Sequence, residues 1–267
     1  MEIQSSRVIL TGAAGGIGRA IAFALVEQGA RLVLVDINVQ ALQTLCSELR
    51  SAGGEAHPIC ADLTEISGCD TVVAGAISAM GGIDMLINNA GLMSFRAFED
   101  EPPRHLQDLF SVNLIAPIML TREVLPHMQE QDSGRIVNIG SIFGSIAFAY
   151  FAAYSASKFG LRGFSEALRR ELADTGVRVT YVAPRAVKTK LNSEEVLKMG
   201  EATKMKMDDP DAVAGQIVDA IKGDRQDVYL GWPESLFVRV NGLLPRLVDK
   251  AVAAQNRIAR RFAKGEK

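Results

Sequence analysis

Short, almost continuously apolar runs alternate along the chain with segments whose apolar residues recur at helical spacing. The apolar runs predict seven β-strands, at residues 7–11, 31–35, 56–60, 85–87, 135–139, 178–182 and 227–230. The intervening segments place apolar side chains three and four residues apart, as at Leu42, Leu45 and Leu49, which indicates amphipathic helices. Buried strands that alternate with helices are typical of a parallel sheet with helices on both faces. The pattern therefore predicts an α/β fold with a doubly wound parallel sheet.

Two stretches depart from this alternation. Residues 184–208 follow the sixth strand without a clear period, and an irregular stretch of this length predicts a lid or binding segment. Residues 232–267 continue beyond the last strand with helically spaced apolar positions that Pro245 interrupts, and residues 246–267 carry a net charge of +5 (seven basic, two acidic). We expect one domain over residues 1–231 and a basic amphipathic helical extension over residues 232–267. Such an extension packs on its own domain or on a neighbouring subunit, or, less favoured, lies on an anionic membrane surface.

Several polar residues interrupt the apolar pattern. Asn113 lies amid apolar neighbours in a helical segment, residues 102–128, and a buried amide without partners costs roughly 1–3 kcal/mol. It therefore either repairs a distorted helix or holds water near an active site. Residues 88–91, after the fourth strand, form a turn whose amides are expected to tie adjacent strands together. Another helix is expected to begin at Asp62, which either caps it or meets an adenine edge.

Composition narrows the class of protein. The 267 residues include 29 basic and 31 acidic side chains, a net charge of −2, which gives no overall electrostatic footprint for nucleic acid. Cys46, Cys60 and Cys69 match no metal-ligand spacing, so we expect reduced, packed thiols and no metal site. The chain enters a strand and a glycine motif almost at once, and its longest apolar run covers only residues 146–154. We expect no leader, no membrane span and a cytoplasmic location.

A glycine-rich turn follows the first strand. Gly12, Gly16 and Gly18 lie between this strand and a helix, where glycine lets backbone amides approach a pyrophosphate. Asp36 ends the second strand, 24 residues after Gly12, and is placed to accept hydrogen bonds from adenosine ribose hydroxyls. Its charge would repel a 2′-phosphate, which favours NAD over NADP. A plain glycine turn and a helix-capping Asp36 are the structural alternatives.

Tyr154 and Lys158 are one helical turn apart, so a helix places the phenol and the ammonium on one face. A phenol with an ordinary pKa of about 10 is a poor base near neutrality, whereas a nearby cation favours the phenolate. Ser141 follows the fifth strand, whose end would present its hydroxyl at the edge of the sheet. The three groups can converge on one oxygen. When the Tyr154 to Lys158 spacing is taken alone, an exposed helix face is the favoured explanation.

Together these motifs resemble the short-chain dehydrogenase/reductase family. The matches are Thr11-Gly12-x-x-x-Gly16-x-Gly18, Asn88-Asn89-Ala90-Gly91, Asn113, Ser141 and Tyr154-x-x-x-Lys158, in the family's order, and they cover about residues 5–230. The resemblance implies a seven-stranded Rossmann-like sheet of order 3-2-1-4-5-6-7. It also implies hydride transfer between a nicotinamide cofactor and a secondary alcohol or ketone.

The resemblance further implies a catalytic set of four residues. Tyr154 exchanges a proton with the substrate oxygen, and Lys158 lowers the pKa of Tyr154 and binds the nicotinamide ribose. Ser141 hydrogen-bonds the substrate oxygen, and Asn113 holds a water beside Lys158. Besides Tyr154 and Lys158, the implied cofactor site comprises residues of the glycine turn, the strand ends and the lid: Gly12, Gly16, Ile17, Gly18, Asp36, Asp62, Leu63, Asn89, Pro184, Val187 and Thr189.

One position departs from the family pattern, because Arg185 follows Pro184 where glycine is usual. The position lies near the expected nicotinamide, so the guanidinium contacts the pyrophosphate, the substrate or only solvent, and solvent is the favoured expectation. Apolar residues surround the expected site, and no cluster of Arg or Lys indicates an anionic substrate, so a hydrophobic alcohol or ketone is the expected substrate. The apolar residues are Leu92, Met93, Phe95, Ile142, Phe143, Phe148, Tyr150, Phe151, Leu191, Val196, Leu197 and Met199. The resemblance also suggests a homodimer or homotetramer assembled through the helices that contain Asn113 and Tyr154.

Two other functions are compatible with part of the pattern. A sugar-nucleotide epimerase or dehydratase shares Tyr-x-x-x-Lys and NAD, but usually has a different glycine spacing and a larger C-terminal substrate domain. A non-catalytic nucleotide-binding regulator would need only the glycine turn and Asp36. The presence of Ser141, Tyr154 and Lys158 together argues against it.

Overall fold

In the computed structural model, which describes residues 2–265, seven parallel strands form one sheet in the order β3-β2-β1-β4-β5-β6-β7. The strands are β1 (Arg7–Thr11), β2 (Arg31–Asp36), β3 (Glu55–Cys60), β4 (Met85–Asn88), β5 (Gly134–Ile139), β6 (Val177–Ala183) and β7 (Asp227–Tyr229). Met1, Glu266 and Lys267 lie outside the described residues, and the last two belong to the predicted extension. The predicted sheet and strand order are confirmed.

Helices cover both faces of the sheet. They are α1 (Gly16–Glu27), α2 (Val39–Ser51), α3 (Ile66–Met80), α4 (Pro103–Phe110), α5 (Ala116–Glu130), α6 (Ala152–Glu171), α7 (Glu194–Ala202), α8 (Pro210–Lys222), α9 (Glu234–Leu243) and α10 (Pro245–Ala263). On one face α1, α2 and α8 bury apolar stripes that include Ile21, Leu45 and Ile217. On the other face α3 and α5 do so through residues such as Val72 and Leu120, and α6 joins them. The apolar periodicity of the sequence thus corresponds to the buried side of each helix.

The strand order reverses at β1, which pairs with β2 on one side and with β4 on the other. Loops that leave the carboxyl ends of strands at such a point diverge and leave a crevice between them. The glycine turn after β1, residues 88–91 after β4 and Ser141 after β5 all lie at this edge of the sheet. The fold therefore brings the predicted site residues together from distant parts of the sequence.

Two predicted boundaries are wrong. Helix α3 begins at Ile66 rather than at Asp62, because the Asp62 carboxylate accepts hydrogen bonds from the Thr64 amide (2.9 Å) and hydroxyl (2.7 Å) and closes a tight turn. The stretch predicted to be irregular contains α7, whose N-terminus is capped by Ser193. A single short helix between two loops carries too weak a period to be recognised in the sequence.

Residues 103–130 form one continuous helical stretch, in which a π-helical turn, Ser111–Ile115, joins α4 to α5. Within residues 2–265 this is the one helix that is long and apolar enough to cross a membrane by length and composition alone: it has 28 residues, and an 18-residue window within it has a mean hydropathy of 1.3. The sequence prediction concerned uninterrupted apolar runs, and Arg104, Asp108, Arg122 and Glu123 interrupt the apolar residues of this stretch. The stretch packs against α3 and α6 and buries Leu109, Leu120 and Val124, as a core helix does.

The C-terminal extension is helical, as predicted, and it packs on its own domain. Helix α10 lies against α7 and α9, and Pro245 starts α10 at a sharp corner after α9. Val248 and Ala259 of α10 are buried in two different apolar clusters, and Lys264 forms an ion pair with Glu99. One face of the amphipathic helix is therefore covered by the protein itself.

Candidate active site

The glycine turn is packed too tightly for side chains. Gly12 has φ of +61°, and a Cβ there would lie 2.7 Å from Ala90 Cα. A Cβ at Gly18 would lie 2.1 Å from the Gly12 carbonyl oxygen, and one at Gly16 would lie 2.6 Å from Thr189 Cγ2. No side chain caps the N-terminus of α1, so its first amides face the cleft. This arrangement fits a bound pyrophosphate.

Hydrogen bonds tie the glycine turn to the end of β4. Asn89 Nδ2 donates to the carbonyl oxygens of Thr11 (3.0 Å) and Gly12 (3.1 Å). The Thr11 hydroxyl accepts from the backbone amides of Asn89 and Ala90, each at 3.0 Å. Asn88 Nδ2 donates to Asn138 Oδ1 at 2.8 Å and so links β4 to β5. The turn at residues 88–91 therefore has the predicted tying role.

Asp36 stands at the end of β2 and lines the cleft. Its carboxylate accepts from the backbone amides of Ala14 and Asn38, each at 3.0 Å, so it stabilises the glycine turn, and within residues 2–265 it forms no ion pair. The nearby cation Arg19 is paired with Glu48. Each Asp36 oxygen retains a lone pair for a further donor, which fits ribose hydroxyls.

The residues around Tyr154 converge at the carboxyl end of β5. A hydrogen bond joins the Ser141 hydroxyl to the Tyr154 phenol, and Ser141 Oγ also accepts from the Phe143 amide at 3.1 Å. Lys158 Nζ lies 5.9 Å from the centre of the Tyr154 ring and donates to the Ile139 carbonyl oxygen at 3.0 Å. The predicted convergence of hydroxyl, phenol and ammonium is present.

Burial decides the pKa values of both groups. Tyr154 is 7% exposed and Lys158 is 4% exposed. Burial raises the pKa of Tyr154 above its ordinary value, and the hydrogen bond from Ser141 opposes this rise. Burial also lowers the pKa of Lys158 to about 8. The structure thus differs from the expected lowering of the Tyr154 pKa, because removal from water disfavours both charges.

Asn113 is fully buried within the π-helical turn. Its Oδ1 accepts from the Leu92 amide (2.7 Å), and its Nδ2 donates to the Leu92 carbonyl oxygen (2.9 Å) and to Ser157 Oγ (3.0 Å). These bonds hold the distorted helix against the strand-end loop, as one of the two predicted roles requires. The Asn113 side chain and the Lys158 ammonium both lie close to Gly91. A Cβ added at Gly91 would be 3.3 Å from Asn113 Oδ1 and 3.7 Å from Lys158 Nζ. The water-holding role stays a prediction.

Arg185 is 15% exposed and does not face solvent, contrary to the expectation. Its guanidinium donates to both carboxylate oxygens of Asp208 (2.9 and 2.6 Å), and to Glu234 and the Trp232 carbonyl oxygen (both 3.1 Å). Asp208 ends the lid and Glu234 begins α9. Arg185 therefore ties the start of the lid to its end and to the C-terminal extension, which explains why a long side chain stands where glycine is usual.

The predicted site residues line one cleft, with a volume of about 1020 Å³, except Asn113, which lies behind its wall. Most of the predicted apolar residues also line the cleft. Phe95 and Tyr150 instead stack edge to face behind it, and Leu197 is exposed. The lid brings Lys190, Lys204 and Lys206 to the cleft, so the expectation that no cations cluster there was wrong.

Sequence reasoning missed two sets of residues. Helix α10 lines the cleft with Val248, Ala251, Val252, Gln255, Asn256 and Ala259. The spacing of three and four residues among these positions was the available signal, but it did not identify the surface that they cover. Tyr181 was also missed; its hydroxyl donates to the Ser141 carbonyl oxygen at 3.3 Å, and Gly140 and Gly144 leave room for its ring.

The described residues contain no cluster of His, Cys, Asp and Glu that could hold a metal ion. Cys46 and Cys69 are buried free thiols, as expected, and burial raises the pKa of Cys69 to about 11. Cys60 is exposed, so the expectation that all three thiols are packed was wrong for this residue. Its place at the end of β3, an outer strand of the sheet, accounts for the difference.

Comparison with known proteins decides the family. The family model described as short chain dehydrogenase matches residues 6–200. The chain belongs to the short-chain dehydrogenase family. As a member of that family it is an oxidoreductase that interconverts CH–OH and C=O groups with a nicotinamide cofactor, and the glycine turn, Asp36 and the buried Lys158 fit that cofactor.

Individual relatives of this short-chain dehydrogenase cover nearly the whole chain. It is 37% identical over 261 residues to "Ketoacyl reductase HetN" of Nostoc sp.. The aligned region covers 93% of this chain and 88% of the relative. A short-chain dehydrogenase/reductase from Burkholderia phymatum in complex with NAD has a similar fold, with a TM-score of 0.85 at 24% identity over 93% of this chain and 96% of that chain. A metagenomic short-chain oxidoreductase in complex with NADP has a TM-score of 0.72 at 33% identity. The match covers 85% of this chain and 98% of that chain.

Proposed function

We propose that the protein transfers a hydride between NAD(H) and a secondary alcohol or ketone whose body is largely hydrophobic, with Tyr154 as the proton donor and acceptor. The observation that carries this proposal is the convergence of Ser141, Tyr154 and Lys158 in one cleft with the glycine turn and Asp36. A non-catalytic regulator has no need of a buried phenol hydrogen-bonded to a serine.

The proposed chemistry divides between the cofactor and the protein. The bound nicotinamide supplies or accepts the hydride. The Tyr154 phenol gives its proton to the substrate oxygen in reduction and takes it back in oxidation. Burial raises the pKa of Tyr154 above its ordinary value, so the phenol carries the proton at neutral pH that it gives to the substrate oxygen in reduction. Ser141, which hydrogen-bonds the same phenol, orients the substrate oxygen.

Lys158 supports this chemistry by its position. Its ammonium lies beside the Tyr154 ring and at the end of β5, where it can donate to a ribose hydroxyl as well as to the Ile139 carbonyl oxygen. A cation there stabilises the phenolate that forms when Tyr154 gives up its proton. Asn113, which approaches Lys158 at Gly91, is proposed to hold a water beside the ammonium.

The preference for NAD over NADP is supported by Asp36. Its carboxylate lines the cleft and forms no ion pair with any cation in the part of the chain that the structure describes, so a 2′-phosphate would meet an uncompensated negative charge. Asp62 and Leu63 line the same region and are proposed to contact the adenine. Pro184, Val187 and Thr189 of the lid are proposed to contact the nicotinamide end.

A hydrophobic substrate is supported by the wall that faces Tyr154. Phe143 and Phe151 pack around Tyr154, with ring centres 6.1 Å apart for Phe143 and Tyr154, and Met199 of α7 joins the same cluster. The name of the Nostoc relative, ketoacyl reductase, makes a ketone on an acyl chain a specific candidate. The lid lysines would then bind a carboxylate or a cofactor phosphate.

Assembly into a homodimer or homotetramer is proposed through the helices that contain Asn113 and Tyr154. Ile115 and Phe159, on these two helical segments, are 44% and 40% exposed. Nothing stands within 4 Å of a Cβ placed at Gly163, so a second helix can approach α6 closely there.

A substrate and cofactor panel tests the proposal. Purified protein would be assayed with NADH and with NADPH on ketones of matched chemistry: 2-decanone, an ester of a medium-chain oxo acid, and dihydroxyacetone. We expect kcat/KM to be higher with NADH, and at least tenfold higher for the two lipophilic ketones, since about 0.8 kcal/mol is gained for each buried methylene. Preference for dihydroxyacetone would contradict the substrate class, and preference for NADPH would contradict the cofactor.

A further inference from the structure

The two C-terminal helices present different chemistry on their inner and outer faces. On the inner side, Val238 and Val248 are buried, and Phe237, Ala251 and Val252 line the cleft. The packing of these residues accounts for the apolar positions on the inner face of α9 and α10. It does not account for the apolar residues on the outer face of both helices.

The outer side carries large exposed apolar residues. Leu236 and Leu243 are seven residues apart on α9 and share one face, opposite Val238. Leu243 is 82% exposed, Leu244 is 59% exposed and Leu247 is 56% exposed, and these three residues surround the corner between α9 and α10. Trp232, just before α9, is 68% exposed. Several large exposed apolar residues on one pair of helices indicate an interaction site.

Basic residues flank these apolar side chains. Within residues 2–265 none of the following exposed cations forms an ion pair: Arg239, Arg246, Lys250, Arg257 and Arg261. Asp249 is the single acidic residue of α10. We call the exposed residues Trp232, Leu236, Arg239, Leu243, Leu244, Arg246, Leu247 and Lys250 the elbow surface.

We propose that the elbow surface docks the protein on a lipid bilayer that contains anionic lipids. Leucines at the tip of a helical corner and a Trp at the other end of α9 suit the interfacial region of a bilayer, and Arg and Lys suit its phosphate groups. The negative surface potential of an anionic leaflet attracts Lys and Arg residues that lie beside membrane-inserted side chains. The net charge of the whole chain is −2, so an anionic bilayer attracts this basic surface and not the protein as a whole. The surface therefore sets the orientation of the protein on the bilayer.

A second copy of the chain suits this surface less well. A two-fold interface brings the same patch of each subunit together. Arg246 and Lys250 would then oppose the same cations of the partner, and Asp249, the single acidic residue of α10, can compensate only one of the two. An anionic bilayer satisfies both the apolar and the basic residues at once.

Vesicle flotation tests the proposal with the full chain. The protein would be mixed with vesicles of phosphatidylcholine alone or with 30% phosphatidylglycerol, as a chosen composition of about one-third anionic lipid. We expect it to float with the anionic vesicles, to float at least tenfold less with the neutral ones, and to be released when salt rises to about 0.5 M, because salt screens surface charge. Failure to float with anionic vesicles at low salt would overturn the proposal.

Substitutions in the apolar part separate this docking from nonspecific attraction. We expect Leu243→Ser/Leu244→Ser to weaken binding to anionic vesicles at least tenfold, since both substitutions remove an apolar side chain that would leave water in the bilayer. The matched control Ile66→Ser/Phe98→Ser removes two exposed apolar residues on other helical segments and should leave flotation unchanged. Equal flotation of the two variants would contradict docking through the elbow surface.

Substitutions in the basic part complete the test. We expect Arg246→Gln/Lys250→Gln to lose on the order of tenfold in binding and most of the salt dependence. The control Arg122→Gln/Arg178→Gln makes the same change of charge elsewhere on the surface. Light scattering would show the mass of each variant in the absence of lipid. A fall in mass for Leu243→Ser/Leu244→Ser, without vesicle binding by the unchanged protein, would assign the surface to a second copy.

Discussion

Burial acts in opposite directions on the two functional side chains of α6. The Tyr154 phenol is held protonated, and the Lys158 ammonium is made easier to neutralise. The one-turn spacing in the sequence correctly predicted their shared face but carried no information on burial. That burial comes from the loop after β5, whose Phe143 packs against the Tyr154 ring. At this scale the sequence predicts the groups, and the tertiary packing sets their acidity.

The buried Lys158 predicts an unusual dependence of stability on pH. Its pKa falls from 10.5 to about 8 on folding, which costs about 3 kcal/mol wherever it is charged in both states. Below pH 8 the full cost is present. Between pH 8 and 10.5 the folded state loses its proton while the unfolded state keeps it, so stability rises with pH.

We therefore expect the unchanged protein to gain about 2–3 kcal/mol in unfolding free energy, relative to Lys158→Met, between pH 7 and pH 10. Urea unfolding of both proteins at the two pH values measures this difference. Lys188→Met, which replaces an exposed lysine, should show no such change. A constant difference between the unchanged protein and Lys158→Met across this range would show that Lys158 is not buried as described.

Among the elements, the lid depends on contacts that the sequence does not reveal. Arg185, Asp208 and Glu234 are far apart in the chain, and they meet because the lid returns to its starting point beside α9. The expectation that Arg185 faces solvent failed for this reason. By contrast, the strands and most helices were predictable from local sequence. Each strand is a short apolar run, and most helices carry apolar residues three and four positions apart.

We expect Arg185→Met to loosen the lid. The change leaves the Asp208 carboxylate half-buried and without its partner, and loss of such a pair costs about 1–3 kcal/mol. Hydrogen exchange should quicken in residues 187–208, and KM should rise more than kcat falls. Arg185→Lys keeps the charge but loses the bidentate hydrogen bonds to Asp208. Its hydrogen exchange and KM should therefore lie between those of the unchanged protein and Arg185→Met.

A matched control for this variant is Arg122→Met, which removes an exposed pair with the adjacent Glu123 and should change unfolding free energy by less than about 1 kcal/mol. Unchanged exchange in residues 187–208 of Arg185→Met would refute the tie between lid and extension.

For the molecule as a whole, the helices around the cleft leave apolar residues exposed on the surface proposed for assembly. We expect Phe159→Glu to reduce the oligomeric mass measured by light scattering, because it places a charge between closely packed helices. Phe98→Glu, an exposed site on another segment, should leave the mass unchanged. An unaltered mass for Phe159→Glu would place the interface elsewhere.

The central claim is that Tyr154 transfers the proton in a nicotinamide-dependent reaction. Its most direct test compares turnover and NADH binding in the unchanged protein and in Tyr154→Phe, which removes one oxygen and keeps the packed ring. We predict that turnover of the best ketone falls by about 10²–10⁴-fold, the usual contribution of a general acid, while the NADH dissociation constant changes by less than about threefold, or 0.7 kcal/mol. Retention of more than about a tenth of the turnover, a loss below 1.4 kcal/mol, would contradict the account.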